Sequence, residues 1–149
     1  KQIISVGNKS IRVTIPAGVT DGQRLKLRGH GGEAPQGGTR GDLYITFRIT
    51  TDSNFTRIGD DLGTTLSIPL STAILGGEVI VPTFTGEVRM KVKAGTQPNS
   101  KLRLKGKGMP RYKKSNEWGD LIVTFQINIP TTLTEEQHEL CVKLQQTGL

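Results

Sequence analysis

Residues 13–49 read VTIPAGVTDGQRLKLRGHGGEAPQGGTRGDLYITFRI, and residues 90–127 read MKVKAGTQPNSKLRLKGKGMPRYKKSNEWGDLIVTFQI. The two stretches share one pattern: a Leu-x-Leu-x-Gly-x-Gly motif, a loop, the triplet Gly-Asp-Leu and a strand-like run. The first motif begins at Leu25 and again at Leu102, 77 positions later, and the triplets lie 78 positions apart. A repeated β-unit in 149 residues predicts two tandem domains with a shared fold rather than one enzyme core.

Alternation of apolar and polar residues extends through both copies. Leu25 and Leu27, for example, alternate with Arg24, Lys26 and Arg28, which is the period of a half-buried strand. We therefore predict an all-β fold of two tandem domains with short helices, and a domain boundary between residues 55 and 56. Longer strands are predicted over residues 43–49 and 121–129.

Several turns and one short helix are also predicted. Asp21-Gly22 suits the tight turn of a hairpin between the strands on either side of it. Pro98-Asn99 is the matching turn of the second copy, and residues 83–86 close a further hairpin. Ser71 is expected to cap a helical turn that ends at the Gly76-Gly77 pair.

The C-terminal segment has a different pattern from the rest of the chain. Thr134 and Gln137 form a capping-box pair, which predicts an amphipathic helix over about residues 134–146. Leu133, Leu140 and Leu144 make an apolar stripe on this segment. The stripe could pack on its own domain or pair with a second subunit.

The charge is unevenly distributed along the chain. Twenty Lys and Arg against 13 Asp and Glu give a net charge of +7 at pH 7. Residues 101–114 contain basic side chains and no acidic one: Lys101, Arg103, Lys105, Lys107, Arg111, Lys113 and Lys114. This patch is either a solvated face or, with Tyr112 and Trp118 as stacking groups, a surface for single-stranded nucleic acid.

Residue types that carry catalysis are sparse, and we do not expect an enzyme. His30 and His138 have no nucleophile or acid arranged beside them in the sequence, and Asp60-Asp61 would point to opposite faces of a strand. The glycine-rich loops do not fit a phosphate-binding loop because a strand, not a helix, follows each of them. We expect no metal and no cofactor, and no run is long and apolar enough to cross a membrane.

Two aspartates and a few apolar residues suggest other roles. Asp42 and Asp120, at matching repeat positions, are predicted to anchor loop backbone through their carboxylates. Ile4, Val6 and Phe55 could line a groove for an extended apolar peptide, or they could cover the small core of the first domain.

Taken together, the motifs resemble the C-terminal region of DnaJ-type co-chaperones. The stretch from Ile15-Pro16-Ala17-Gly18 through Gly41-Asp42-Leu43 resembles the first C-terminal domain of that family. Residues 55–62 resemble the segment that joins the two domains. The second domain is recognised by further motifs: Ala73-Ile74-Leu75-Gly76-Gly77, Val81-Pro82-Thr83, Gly95-Thr96-Gln97, residues 102–108 and Gly119-Asp120-Leu121.

The resemblance implies that both domains are β-sandwich-like. It also implies a cytoplasmic co-chaperone region that binds unfolded or misfolded protein clients and delivers them to a DnaK-type chaperone. By resemblance, Ile4, Val6 and Phe55 line the client groove, with Leu25 and Leu27 as further candidates. Basic residues near it, Lys1 or Arg57, would receive the acidic tail of the partner chaperone. The segment containing Leu133, Leu140 and Leu144 resembles the dimerisation region, which implies a homodimer. Neither a membrane nor nucleic acid is an expected partner.

The chain also departs from the family pattern. The His-Pro-Asp tripeptide of the J-domain is absent, because Gly31 follows His30 and Glu139 follows His138. Where some members carry a cysteine-rich zinc region, a short Gly7-Asn8-Lys9 turn is expected, which implies a parent of the zinc-free class. We expect the first strands of the first domain to be missing on its N-terminal side, and hence an incomplete client groove.

Overall fold

The alternating pattern folds into short strands along most of the chain. The computed structural model describes residues 1–7, 9–35, 38–50, 54–114 and 116–148. These residues form ten strands and two helices: β1 (Gln2–Val6), β2 (Lys9–Val13), β3 (Arg24–Leu27), β4 (Leu43–Thr46), β5 (Thr56–Ile58), β6 (Asp61–Pro69), α1 (Leu70–Leu75), β7 (Gly77–Thr83), β8 (Gly86–Val92), β9 (Lys101–Leu104), β10 (Leu121–Asn128) and α2 (Glu135–Gln146). The all-β prediction is confirmed.

The strands pair into several small sheets. β1 pairs with β2, β3 with β4 and β7 with β8, and the order in a four-stranded sheet is β5-β6-β10-β9. In the first pair Ile4 faces Ile11, and in the second Leu27 faces Leu43. Half-buried and exposed residues alternate along β3 and β4, so each of these strands has one solvent-exposed face.

The chain divides into two compact units, which we call unit 1 and unit 2. Unit 1 contains Lys1–Thr64, Thr83–Thr85 and Leu102–Val123, and unit 2 contains Thr65–Pro82, Gly86–Lys101 and Thr124–Leu149. Buried apolar side chains of the described residues are Val13, Leu62, Leu121 and Val123 in unit 1, and Ile68, Ala73, Val81, Val92 and Phe125 in unit 2. The domain boundary between residues 55 and 56 stays a prediction.

The two sequence copies have the same backbone hydrogen bonds. The Gly22 N–H donates to the Phe47 carbonyl at 2.9 Å, and the Asn99 N–H donates to the Phe125 carbonyl at 2.8 Å. In return, the Phe47 N–H donates to the Gln23 carbonyl and the Phe125 N–H donates to the Ser100 carbonyl, each at 2.9 Å. The repeat is therefore a repeat of local structure.

The matching aspartates anchor the loop backbone, as predicted. Asp42 accepts a hydrogen bond from the Gly29 N–H at 3.1 Å, and Asp120 accepts one from the Gly106 N–H at 2.8 Å. Each carboxylate also pairs with a cation on the neighbouring strand, Lys26 or Arg103. The Lys26 ammonium and then the Gly29 N–H lower the pKa of Asp42, and the Gly106 N–H and then Arg103 lower the pKa of Asp120.

The lowered pKa of Asp120 predicts how stability changes with pH. Its carboxylate stabilises the fold above its ordinary pKa of 3.8, and this contribution is lost as the pH falls through the lower pKa of the folded state. We expect Asp120→Asn to be less stable than the parent chain at pH 7, with the difference shrinking toward about pH 2. Urea denaturation across this pH range measures it. Glu136→Gln, at an exposed helix position, is the control, and a constant difference at all pH values would contradict the role of the charge.

One predicted hairpin is wrong. Asp21-Gly22 does not join two paired strands, because β2 pairs with β1 and β3 pairs with β4. The positive φ expected for this turn is present at Gly22 (73°). The Asp21 carboxylate accepts the Ile49 N–H at 2.8 Å, so the turn is held by residues beyond the end of β4.

Three further details differ from the predictions. Ser71 does not cap α1, because the helix begins at Leu70 after Pro69 and has no side-chain cap bond. The strand predicted over residues 43–49 ends at Thr46, where its partner β3 begins at Arg24. The strand predicted over residues 121–129 ends one residue earlier, at Asn128.

Other local predictions are confirmed. Thr134 and Gln137 form the capping box of α2, which spans Glu135–Gln146. β7 and β8 form the predicted hairpin, with its turn at residues 83–86. Gly7 of the predicted Gly7-Asn8-Lys9 turn has a φ of 57°, while Asn8 lies outside the described residues. Three residues of the predicted loops also lie outside the described residues: Gln36, Gly37 and Ser115.

Candidate functional site

An open cavity in unit 1, here called the unit 1 cavity, lies beside the hairpin of β1 and β2. It has a volume of about 660 Å³. Its lining combines apolar strand residues with polar loop residues: Val6, Gly7, Lys9, Ile11, His30, Gly31, Gly32, Glu33, Arg40, Asp42 and Leu43. A cavity of this size and mixed character can accept one or two bulky side chains.

The apolar part of the lining follows from the register of the strands. Ile4 and Ile11 are cross-strand partners, and Val6 and Ile11 project from the same face because alternate residues of a strand point to the same side. Ile4, Val6 and Ile11 are each half-buried. Val6 and Ile11 line the cavity. Sequence reasoning identified Ile4 and Val6 and missed Ile11, although its position in the same alternation could have indicated it.

Leu25 and Leu27 are not among the residues that line the cavity. Both are half-buried on the inner face of β3, and their cross-strand partners are Ile45 and Leu43. Leu43 is the member of this group that lines the cavity. The two leucines therefore support the strand that contributes to the cavity.

Phe55 occupies a different place in unit 1. Its ring packs against Phe84, with ring centroids 4.7 Å apart and a tilt of 37°. Phe84, at the turn between β7 and β8, is 53% exposed, so the pair presents an aromatic surface to solvent. Sequence reasoning missed Phe84. A large aromatic at a hairpin tip is the signal that could have found it.

The two basic residues proposed for an acidic tail differ in their surroundings. Lys1 is exposed at the start of the chain. The Arg57 guanidinium donates to the carbonyls of Gly59 and Val19, each at 2.8 Å, and to that of Gly18 at 3.3 Å. Arg57 therefore holds the backbone of its own unit together, which leaves fewer of its donors for a ligand.

The apolar stripe of the C-terminal segment, formed by one residue before α2 and two on it, is exposed. Leu133, Leu140 and Leu144 are 42%, 57% and 43% exposed, and none of the described residues of the helix is buried. Leu133 and Leu140 line a cavity of about 400 Å³ in unit 2, with Pro69, Leu70 and Pro130 among its other lining residues. The helix thus carries apolar surface that its own unit does not cover.

Part of the basic patch over residues 101–114 is neutralised by nearby carboxylates. Arg103 pairs with Asp120, while Arg111 and Lys114 both lie 3.2 Å from the Glu117 carboxylate. Those two cations, Lys114 first, lower the pKa of Glu117. Such pairing reduces the charge available to a nucleic-acid backbone, and we do not propose nucleic-acid binding as the function.

The described residues contain no grouping suited to metal binding, since no three His, Cys, Asp or Glu side chains come together among them. No helix within the same residues is long and apolar enough to span a membrane. Cys141, on α2, is a free thiol exposed to solvent.

A duplicated β-unit with an open, partly apolar cavity and an exposed leucine stripe has the features of a modular binding protein. The chain matches the family described as "DnaJ C terminal domain" over residues 1–130, and it belongs to that family. The resemblance found in the sequence motifs is thereby confirmed.

Similar proteins that are named as DnaJ chaperones come from bacteria and from a plant. The chain is 43% identical over 139 residues to "Chaperone protein DnaJ" of Leptothrix cholodnii, covering 93% of this chain and 36% of the relative. It is 44% identical over 140 residues to "Chaperone protein DnaJ" of Parageobacillus thermoglucosidasius, covering 94% and 37%. "Chaperone protein dnaJ GFA2, mitochondrial" of Arabidopsis thaliana is 43% identical over 134 residues, covering 90% and 29%.

The chain therefore spans little more than a third of the length of the curated bacterial relatives that it matches. These relatives are named as chaperones, so the chain is part of a chaperone family.

Proposed function

We propose that this chain binds unfolded or misfolded polypeptide segments and that the protein containing it delivers them to a DnaK-type chaperone in the cytoplasm. The observation that carries the proposal is the unit 1 cavity, whose apolar strand residues Val6, Ile11 and Leu43 are open to solvent. Family membership supports the same function.

In the proposed mechanism, an extended client segment places an apolar side chain into the cavity against Val6 and Ile11. Ile4 extends this face along β1, Leu25 and Leu27 support it from β3, and the Phe55–Phe84 pair offers a second apolar contact. Free strand edges can hydrogen-bond the backbone of such a segment. Binding of this kind needs no covalent chemistry, and each single contact is weak.

Two copies of the chain would strengthen binding to one client. A homodimer formed through Leu133, Leu140 and Leu144 presents two client surfaces to the same unfolded chain. Linked sites of this kind raise apparent affinity by roughly 10²–10⁴ when both can engage. Lys1 and Arg57 remain the two candidates for binding the acidic tail of the partner chaperone. Lys1 is exposed, whereas the Arg57 guanidinium already donates hydrogen bonds to backbone carbonyls.

The client surface is tested by removing its aromatic group. We expect Phe55→Ala to raise the dissociation constant of a fluorescein-labelled apolar peptide about tenfold, equivalent to about 1.4 kcal/mol. Ile4→Ser should act in the same direction. Fluorescence anisotropy measures binding, and a thermal melt checks that both variants stay folded.

Tyr44→Ala is the matched control, because Tyr44 is an exposed aromatic on the outer face of β4. It should bind the peptide as the parent chain does. If Phe55→Ala and Ile4→Ser are folded and bind normally, the client contacts neither the Phe55–Phe84 pair nor the Ile4 end of the apolar face, and those two contacts are wrong.

A further inference from the structure

The hairpin formed by β3 and β4 has one exposed face that is rich in cations. Half-buried and exposed residues alternate along both strands, so the exposed residues share one side of the hairpin. The pairing continues past the end of β4, because the Phe47 N–H donates to the Gln23 carbonyl at 2.9 Å. The exposed residues on this side, here called the basic hairpin face, are Arg24, Lys26, Arg28, Tyr44, Thr46 and Arg48.

Most of the positive charge on this face is not neutralised. The Lys26 ammonium lies 2.8 Å from the Asp42 carboxylate, which offsets that cation. Arg24, Arg28 and Arg48 have no carboxylate partner within the part of the chain that the structure describes. Three guanidinium groups therefore remain for a ligand, and the planar guanidinium matches the oxygens of a phosphate group in a bidentate manner.

Tyr44 adds an aromatic ring to the centre of the face. It is the cross-strand partner of Lys26, whose ammonium lies 5.6 Å from the ring centroid. The residue is 57% exposed, so much of the ring remains accessible. An exposed ring among cations is the arrangement on which a nucleobase stacks while its phosphates meet positive charge.

The spacing of the cations suits an extended polyanion. Alternate residues of a strand lie about 6.7 Å apart, and Arg24, Lys26 and Arg28 are successive alternate residues. Successive phosphates of an extended single strand of nucleic acid are separated by a similar distance. Arg24 is a diagonal neighbour of Tyr44 across the hairpin, within reach of a long side chain.

We infer that the basic hairpin face binds single-stranded nucleic acid, with the guanidinium groups on the phosphates and a base stacked on Tyr44. Such contacts involve the backbone and the flat face of a base, so little sequence preference is expected. None of the six residues lines the unit 1 cavity. This activity is therefore additional to the proposed client binding and does not rest on it.

The patch over residues 101–114 differs from this face in the state of its arginines. Arg103 pairs with Asp120, and Arg111 lies 3.2 Å from the Glu117 carboxylate. Both guanidinium groups of that patch are thus already held by carboxylates. The hairpin face is the better nucleic-acid candidate, although neither surface was expected to bind nucleic acid from the sequence.

A fluorescein-labelled oligouridylate of about 12 nucleotides tests the inference by fluorescence anisotropy. We expect the parent chain to bind it with a dissociation constant of about 1–100 μM at physiological salt, the range of non-specific binding. An oligoglutamate of the same charge should bind at least about fivefold more weakly, because it has no base to stack. Equal affinity for the two would show that charge alone acts, and it would overturn the assignment to nucleic acid.

The arginines are tested together. Arg24→Gln combined with Arg28→Gln and Arg48→Gln should weaken oligouridylate binding at least about tenfold. The plot of log affinity against log salt concentration should become shallower by about 2, because each lost phosphate contact removes about 0.7 from its slope. A thermal melt checks that the variant is folded.

A second triple variant is the matched control for net charge. Lys1→Gln combined with Lys105→Gln and Lys113→Gln removes the same charge from exposed positions of unit 1 outside the basic hairpin face. It should keep most of the affinity. An equal loss in both triple variants would contradict the placement of the site on the hairpin.

Stacking is tested at Tyr44. Tyr44→Ala should weaken oligouridylate binding at least about fivefold, whereas Tyr44→Phe keeps the ring and should bind as the parent chain does. Unchanged binding by a folded Tyr44→Ala variant would show that no base stacks there, and the inference would be wrong.

The same variants separate this inference from the proposed function. Tyr44→Ala should keep its affinity for the apolar peptide while losing affinity for oligouridylate, and Phe55→Ala should do the reverse. If the folded parent chain does not bind oligouridylate even at about 0.05 M salt, where phosphate contacts are strong, the nucleic-acid inference is wrong and client binding is unaffected.

Discussion

Replacing Gly119 with alanine is expected to destabilise unit 1 by about 3 kcal/mol or more, enough to prevent folding of a marginally stable domain. An added Cβ at this position would lie 1.9 Å from the Asp60 carbonyl oxygen and 2.9 Å from a carboxylate oxygen of Asp61. The first of these atoms is backbone and cannot move aside cheaply. Urea denaturation followed by circular dichroism measures the loss.

The repeat supplies a matched control for this experiment. Gly41 occupies the position of Gly119 in the first copy, but its added Cβ would meet only the Gly32 carbonyl oxygen, at 3.8 Å, which is an ordinary contact. Gly41→Ala should therefore change stability little. Equal effects of the two substitutions would mean that the close approach at Asp60 is not what requires glycine at residue 119.

The second large effect concerns assembly. We expect Leu140→Lys combined with Leu144→Lys to convert a dimer into monomers, raising the dimer dissociation constant at least about 100-fold. The two leucines lie one helical turn apart on α2, and both are exposed in the single chain. Self-pairing of such a stripe about a two-fold axis covers it on both copies. Light scattering over a concentration series measures the change.

A second double variant controls for added charge. Val142→Lys with Gln146→Lys places the same two lysines on the opposite side of α2 and should leave the dimer intact. Monomers of the parent chain at all concentrations would contradict the proposed interface. A dimer that survives the change at Leu140 and Leu144 would place the interface elsewhere.

Features set by local pattern could be predicted from the sequence. The matching of Gly22 with Asn99, the anchoring by Asp42 and Asp120, and the capping box at Thr134 depend on residues close in sequence or on one repeated motif. Because both copies had to satisfy the same backbone groups, the second copy served as a check on the first.

Features that depend on residues far apart in the sequence could not be predicted from it. Asp21-Gly22 has the composition of a hairpin turn, but strand pairing is decided by which apolar faces meet, and β3 pairs with β4 instead of with β2. The contact of Phe55 with Phe84 joins residues far apart in the chain, and no periodicity predicts it. The engagement of Arg57 by the Gly18 and Val19 carbonyls is hidden for the same reason.

The hydrogen bond between Asp61 and Asp120 cannot form until both residues have been synthesised on the ribosome. The Asp61 carboxylate accepts the Asp120 N–H across 59 positions, and unit 1 is completed only by Leu102–Val123. At about 5–20 residues per second, synthesis takes several seconds to pass from one aspartate to the other. During that interval the N-terminal strands are outside the exit tunnel without their last partners. A member of a chaperone family is thus, while it is being synthesised, itself an unfinished chain with exposed apolar strands.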